Sequence, residues 1–352
     1  MKPIYIVVII FTFTFGIYLA ISQRLNNASE SSYNLEKVKE ESKVSKKVSL
    51  LAFGDVMLDR QVRTFMNKNG LDYPFSHIGS FMSSSDITFV NLEGAITSSP
   101  SKTSGVKNAD LVFTFDTKTA PLLAKYGVDI VSLANNHSYN FGISGLNETK
   151  QNLIEAGVKF FGDPFNKSEI SSIVEVDGFK IAFIGYHEFY NQDYSFVLEE
   201  IREKKTTSDF VVVSPHWGQE YYTKIPASNQ ELAREFIDAG ANLVLGTHPH
   251  VIQPIEIYNN GVIFYSLGNF IFDQDFSFNT THGLAVRLVL TIEDGLIVEE
   301  KYDLVPISVI KSIAKIADKI SSDIILARLS SDSLVREEIK QGILTGSFIK
   351  SQ

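Results

Sequence analysis

The run Val48-Ser49-Leu50-Leu51-Ala52-Phe53-Gly54-Asp55-Val56-Met57 decides the fold class: a β-rich stretch that stops on a turn residue and an acid. Similar runs recur at Ile87 to Val90, Val128 to Leu133, Lys180 to Gly185, Phe210 to Ser214 and Ala241 to Leu245, each bounded by turn residues. Helical patterns such as Leu146 to Ala156 and Gln230 to Ala239 lie between them, so strand and helix alternate as in an α/β domain. Further on, Ile255 to Tyr258 and Val262 to Ser266 flank Asn259-Asn260-Gly261, and Leu284 to Ile292 and Leu296 to Tyr302 flank Glu293-Asp294-Gly295; both read as hairpins.

Working outward, residues 26–47 are rich in Ser, Glu and Lys without aliphatic periodicity, as in a solvated spacer. Before them, Ile4 to Ile21 is uncharged and almost wholly apolar, about the length that crosses a bilayer. It reads as an uncleaved signal anchor over residues 1–25, because Ala20-Ile21-Ser22 is a poor cleavage site after an overlong apolar run. At the other end, Ile313, Ile316, Ile320 and Ile324 have helical spacing, so residues 311–352 are expected to be a helical tail packed on a domain spanning 48–310.

Composition narrows the function. With 44% hydrophobic and 21% charged residues the 352-residue chain can bury a core. A formal charge of −9 argues against nucleic acid as a partner, since phosphate backbones call for clustered Lys and Arg. The absence of cysteine excludes disulfides, thiolate ligands and a Cys nucleophile, and leaves N and O atoms to hold any metal.

Six segments just past strand ends concentrate chemistry: Gly54-Asp55-Val56-Met57, Asn91-Leu92-Glu93-Gly94, Asn135-Asn136-His137, His216-Trp217-Gly218, Gly246-Thr247-His248-Pro249-His250 and Ser266-Leu267-Gly268-Asn269-Phe270. Alone, each reads as turn chemistry or a structural His. Together they hold four of the seven His, which points to one site. His248 and His250 fall on alternate positions and point the same way if that stretch is extended. His77, His187 and His282 lie outside the set and read as structural.

This ordered set, from about Val48 to Pro306, resembles the CapA family of bacterial poly-γ-glutamate capsule synthesis proteins, whose fold is similar to calcineurin-like metallophosphatases. The resemblance implies a β-sandwich flanked by helices, and a divalent metal centre of one or two ions, with Mn, Fe or Zn all compatible. Matched residue by residue, it implies metal ligands Asp55, Glu93, Asn136, His216, His248 and His250, and His137 as the catalytic neighbour of the scissile group. Asn269 is a candidate to orient a ligand or the substrate, or a turn residue capping the hairpin. Two departures stand out. Glu93 replaces a bridging Asp, and Met57 replaces a metal-binding His, for which Glu220 offers a substitute.

The expectation is a membrane-anchored, extracytoplasmic component of poly-γ-glutamate-type polymer synthesis or export. Its partners would be the polymer and other membrane components of the capsule synthesis complex. A metal-dependent phosphoesterase or amide hydrolase on another substrate competes with it, as does a polymer-binding module without catalysis.

Overall fold

The computed structural model describes residues 18, 21–27, 45–106, 111–190 and 193–350. The chain divides into two units, Met1–Lys46 with Thr291–Val298, and Lys47–Leu290 with Glu299–Gln352. Within the first, residues 21–27 are helical. The anchor expected over residues 1–25 lies largely outside the described residues, as does most of the spacer. Among those described, no helix is long and apolar enough to cross a membrane.

In chain order the strands are β1 (Ser45–Val56), β2 (Ile87–Leu92), β3 (Ala95–Ile96), β4 (Thr114–Phe115), β5 (Ile130–Ser132), β6 (Lys159–Phe161), β7 (Ser171–Val176), β8 (Phe179–His187) and β9 (Phe210–His216). They continue with β10 (Leu243–Leu245), β11 (Ile255–Tyr258), β12 (Gly261–Phe264), β13 (Asn269–Ile271), β14 (His282–Glu293), β15 (Leu296–Ile310), β16 (Ile313–Ile316) and β17 (Ser347–Lys350). One sheet runs β16-β15-β14-β1-β2-β5-β6, with β13 also on β1 and β17 on β15; a second runs β11-β12-β10-β9-β8-β7. β3 and β4 form a small separate pair.

The two sheets face each other. Phe89 of β2 and Phe161 of β6 meet Phe183 of β8 with ring centroids 6.0 and 5.7 Å apart. The opposite faces are covered by helices. Alternate residues Leu51 and Phe53 of β1 join a core with Leu146 and Leu153 of α4 (Gly142–Ala156), counting α1 (Arg60–Asn69), α2 (Gly79–Met82) and α3 (Thr119–Lys125) before it. Val211 and Val213 of β9 pack on Val197 and Ile201 of α5 (Ser195–Thr207) and on Ala233, Phe236 and Ile237 of α6 (Ala227–Ala239). Central strands are thus buried on both sides, which is why they read as continuous apolar runs rather than alternating ones.

The expected tail is corrected. Lys311 and Ser312 take φ of 51° and 62°, so the chain reverses in a two-residue turn and Ile313 to Ile316 pairs with β15 as a strand. No glycine announces this turn. The helix begins only at Lys319, as α7 (Lys319–Asp332), followed by α8 (Glu337–Leu344). Ile320 and Ile324 are exposed, while Ile325, Leu326 and Leu329 face inward. Since β16 and β17 extend the first sheet, residues beyond 310 complete the domain rather than trail from it.

Candidate metal centre

Asp55 ends β1, and register sets its neighbours: it lies opposite Asn91 of β2 and Asn269 of β13. β1 and β13 approach so closely that a Cβ on Gly54 would sit 1.8 Å from the Gly268 carbonyl oxygen, so only glycine permits this register. Asn91 Nδ2 donates to Asp55 Oδ1 at 2.8 Å. Asp55 Oδ2 is left to the loop after β10, 3.3 Å from the His248 N–H and 3.3 Å from His250 Nδ1.

Glu93, just beyond β2, is 1% exposed, and neither of its carboxylate oxygens has a hydrogen-bond partner among the described residues. Its Oε1 is 3.7 Å from His250 Nε2 and 3.9 Å from His137 Nε2. Burial pushes the Glu93 carboxyl well above the usual range, with His250 pulling it down and Asp55 pushing it up further. Burial also opposes charge on His250, yet Glu93 and Asp55 beside it carry its pKa up to about 9. Asp55, Glu93 and His250 each offer a ligand atom within 4.8 Å of the others.

A second group gathers beside the first. His216, at the end of β9, has Nδ1 3.0 Å from Thr247 Oγ1 and 3.4 Å from Asn91 Nδ2. Its Nε2 faces Asn136 Oδ1 at 2.9 Å and His248 Nδ1 at 3.1 Å. The orientation of Asn136 is fixed by its Nδ2, which donates to His137 Nε2 at 3.2 Å. Burial holds His216 well below the ordinary His value and lowers His248 to about 4, so both are neutral and able to act as ligands at pH 7.

His248 and His250 carry φ of 95° and 58°, so the stretch is not extended as expected. Their side chains part instead: His248 joins Asn136 and His216, and His250 joins Asp55 and Glu93. Two such non-glycine departures close together store strain, which structures tolerate where a site depends on the geometry. A buried carboxylate without donors, beside neutral imidazoles and amide oxygens, is an arrangement that a divalent cation stabilises, so the residues present fit such an ion.

Met57 is fully buried among the core residues that pack the helical side of the first sheet, and its sulfur accepts the Asp59 N–H at 3.1 Å. It packs in the apolar core, as a thioether that is a poor ligand for such ions would. Asn269 is fully buried, with Oδ1 3.0 Å from His250 Nδ1 and Nδ2 donating to Gln274 Oε1 and the Thr280 carbonyl. It braces His250. His137 has Nδ1 on Asn140 Oδ1 at 2.9 Å, and burial lowers its pKa to about 4. It is neutral near pH 7 and suits an orienting role better than that of a general acid.

Glu220 is half-buried and acts electrostatically on Glu93, His137, His248 and His250, though it is not among the clustered ligand atoms. Sequence reading did not single out Asn91, Thr247, Asn140 and Gln274, which orient the ligand residues. Asn91 and Thr247 lay inside segments already noted, and that adjacency was the available signal. Among the other His, His187 accepts the Phe189 N–H and His282 bonds the Phe278 carbonyl, while His77 is exposed.

Residues 49–274 match the family model described as bacterial capsule synthesis protein PGA_cap. The chain is 30% identical over 250 residues to the capsule biosynthesis protein CapA of Bacillus anthracis, an alignment covering 65% of this chain and 61% of that protein. It therefore spans about three-fifths of that relative. To the PGA biosynthesis protein CapA of Bacillus subtilis (strain 168) it is 28% identical over 313 residues, covering 83% and 80%. Among solved structures, a hypothetical protein from Thermus thermophilus superposes with a TM-score of 0.45 at 17% identity, covering 73% of this chain and 98% of that one.

Proposed function

The chain belongs to the bacterial capsule synthesis protein family, and from that premise we propose that it serves the synthesis or export of a poly-γ-glutamate-type polymer through a metal-dependent site of the metallophosphatase kind. The observation that carries the reading is Glu93: a carboxylate buried without a donor, beside Asp55 and His250, is costly unless a cation neutralises it. Asp55, Glu93 and His250 would hold one divalent ion, and Asn136, His216 and His248 a second. When bound, such an ion supplies Lewis acidity toward a carbonyl or phosphoryl oxygen. Asn91, Thr247 and Asn269 keep the ligand side chains in place, and His137 orients the group that enters between them.

In this reading the apolar stretch Ile4 to Ile21 holds the domain at the outer face of the cell membrane, close to other membrane components of polymer synthesis. Mass spectrometry of membrane-extracted protein tests the anchor; a mature N-terminus near Gln23 contradicts it. The function is tested by incubating the purified chain, loaded with Mn or Zn, with γ-glutamyl oligomers and with simple phosphate esters. Binding or turnover of the oligomers, lost in Glu93→Gln, supports the reading. Brisk phosphate-ester hydrolysis with no effect of the oligomers transfers the site to a phosphoesterase.

A further inference from the structure

The segment between Asp55 and α1 is built to present Arg60. Asp59 is fully buried and accepts hydrogen bonds from Ser101 Oγ and from the Thr114 N–H, while its own N–H is taken by the Met57 sulfur. With that residue pinned on three sides, Arg60 is held at φ 54°, a left-handed conformation uncommon for a non-glycine residue. Its guanidinium is half-buried, with Nη2 3.0 Å from Asp273 Oδ1, and Asp273 is fixed in turn by the Gln61 N–H. Among the described residues Asp273 is the acceptor this guanidinium meets, so N–H groups of its planar fork remain unspent.

The surroundings tie Arg60 to the metal centre from two sides. Its Cζ lies 5.8 Å from the Phe113 ring, which packs 4.2 Å from His137; Asp273 follows Phe272, whose ring is 4.6 Å from His250. Arg60 and Glu93 also both act electrostatically on Tyr221, whose ring is 6.2 Å from that of His250. Asp55, Glu93 and Glu220 surround this region and spend charge of a bound ion, so a cation at its rim adds to what the metal would offer an anionic substrate.

We propose that Arg60 is a specificity-determining residue that binds a carboxylate of the substrate beside the metal centre, a free carboxylate of a γ-glutamyl chain. This rests on the functional reading above. The fork geometry of a guanidinium pairs with a carboxylate through two parallel N–H···O bonds, which lysine cannot reproduce. Asp273 holds the fork without consuming it, as preorganisation requires.

The test uses the full chain loaded with Mn, with a γ-glutamyl tetramer, the same tetramer carrying α-carboxamides, and inorganic phosphate as probes in calorimetry. The variants are Arg60→Lys and the double change Arg60→Gln with Asp273→Asn, which avoids leaving a buried carboxylate unpaired; thermal melting verifies that both fold. Tetramer binding should weaken by about ten-fold or more in both, the equivalent of one charge-assisted hydrogen bond. The carboxamide tetramer should bind wild type and variants alike. Unchanged tetramer affinity in the variants, equal loss for the carboxamide probe, or no tetramer binding by the wild type overturns the proposal. Arg60-dependent binding of phosphate alone also overturns it, by assigning the residue to a phosphoryl group. Metal content measured on the same samples separates the two readings, because Arg60-dependent tetramer binding by protein that retains no metal sinks the metal centre and leaves Arg60 standing.

Discussion

Asn136 Oδ1 lies 2.9 Å from His216 Nε2, a contact that joins the loop after β5 to the end of β9. Beside that pair, the Glu93 oxygens meet no donor among the described residues, and a divalent ion would supply what they lack. In the metal-free chain His250 supplies positive charge beside Asp55 and Glu93, a place a divalent ion would take over, and strained backbone at His248 and His250 sustains the arrangement.

Met57→His should not create a metal ligand. The side chain at 57 packs in the core, so an imidazole there is expected to cost about 1–3 kcal/mol as a buried polar group without a partner. Thermal melting and metal analysis check this together: a lower midpoint with unchanged metal content is expected, and an added equivalent of metal would show that residue 57 reaches the cleft.

Asn269→Ala should weaken metal binding without touching a ligand. Losing the oxygen beside His250 Nδ1 frees the ring to turn, and partners of this kind are worth roughly 10–100-fold in metal affinity. Competition against a fluorescent chelator measures it. Affinity equal to wild type would mean that His250 is held by Asp55 alone.

The metal-free protein should lose stability as pH rises through 9. His250 has a folded pKa of about 9 against an ordinary 6.5, so its stabilising contribution is complete below 6.5 and disappears as the folded group deprotonates. His137, His187, His216 and His248 have lowered values and are neutral in both states above pH 7, while the raised Glu93 carboxyl acts in the same direction as His250, favouring the folded state less as pH rises. Because a metal must displace that proton, the stabilisation conferred by metal should grow over the same window. Melting curves with and without chelator at several pH values decide it; a metal-free midpoint that rises from pH 7 to above 9 is inconsistent with the charge assigned to His250.

Much of this was legible in the sequence, for identifiable reasons. Strand ends such as Phe53-Gly54-Asp55 are apolar runs cut by turn residues, so β1, β2, β8 and β9 and their following loops could be placed. What escaped depended on tertiary contacts. The turn at Lys311-Ser312 has no glycine or asparagine to mark it, so β16 looked like the first turn of a helix. A two-residue spacing suggested that His248 and His250 share one point, but positive φ at both sends them to different partners. Met57 adjoins the ligand strand in sequence, and only packing shows that its side chain joins the apolar core.

Metal content of the purified full chain, after exposure to Mn or Zn and dialysis, tests the central claim most directly. The account predicts one or two equivalents per chain in the wild type, with at least one lost in Glu93→Gln while the protein remains folded. A wild type that retains no divalent metal, or a Glu93→Gln protein that binds as much as the wild type, would contradict it.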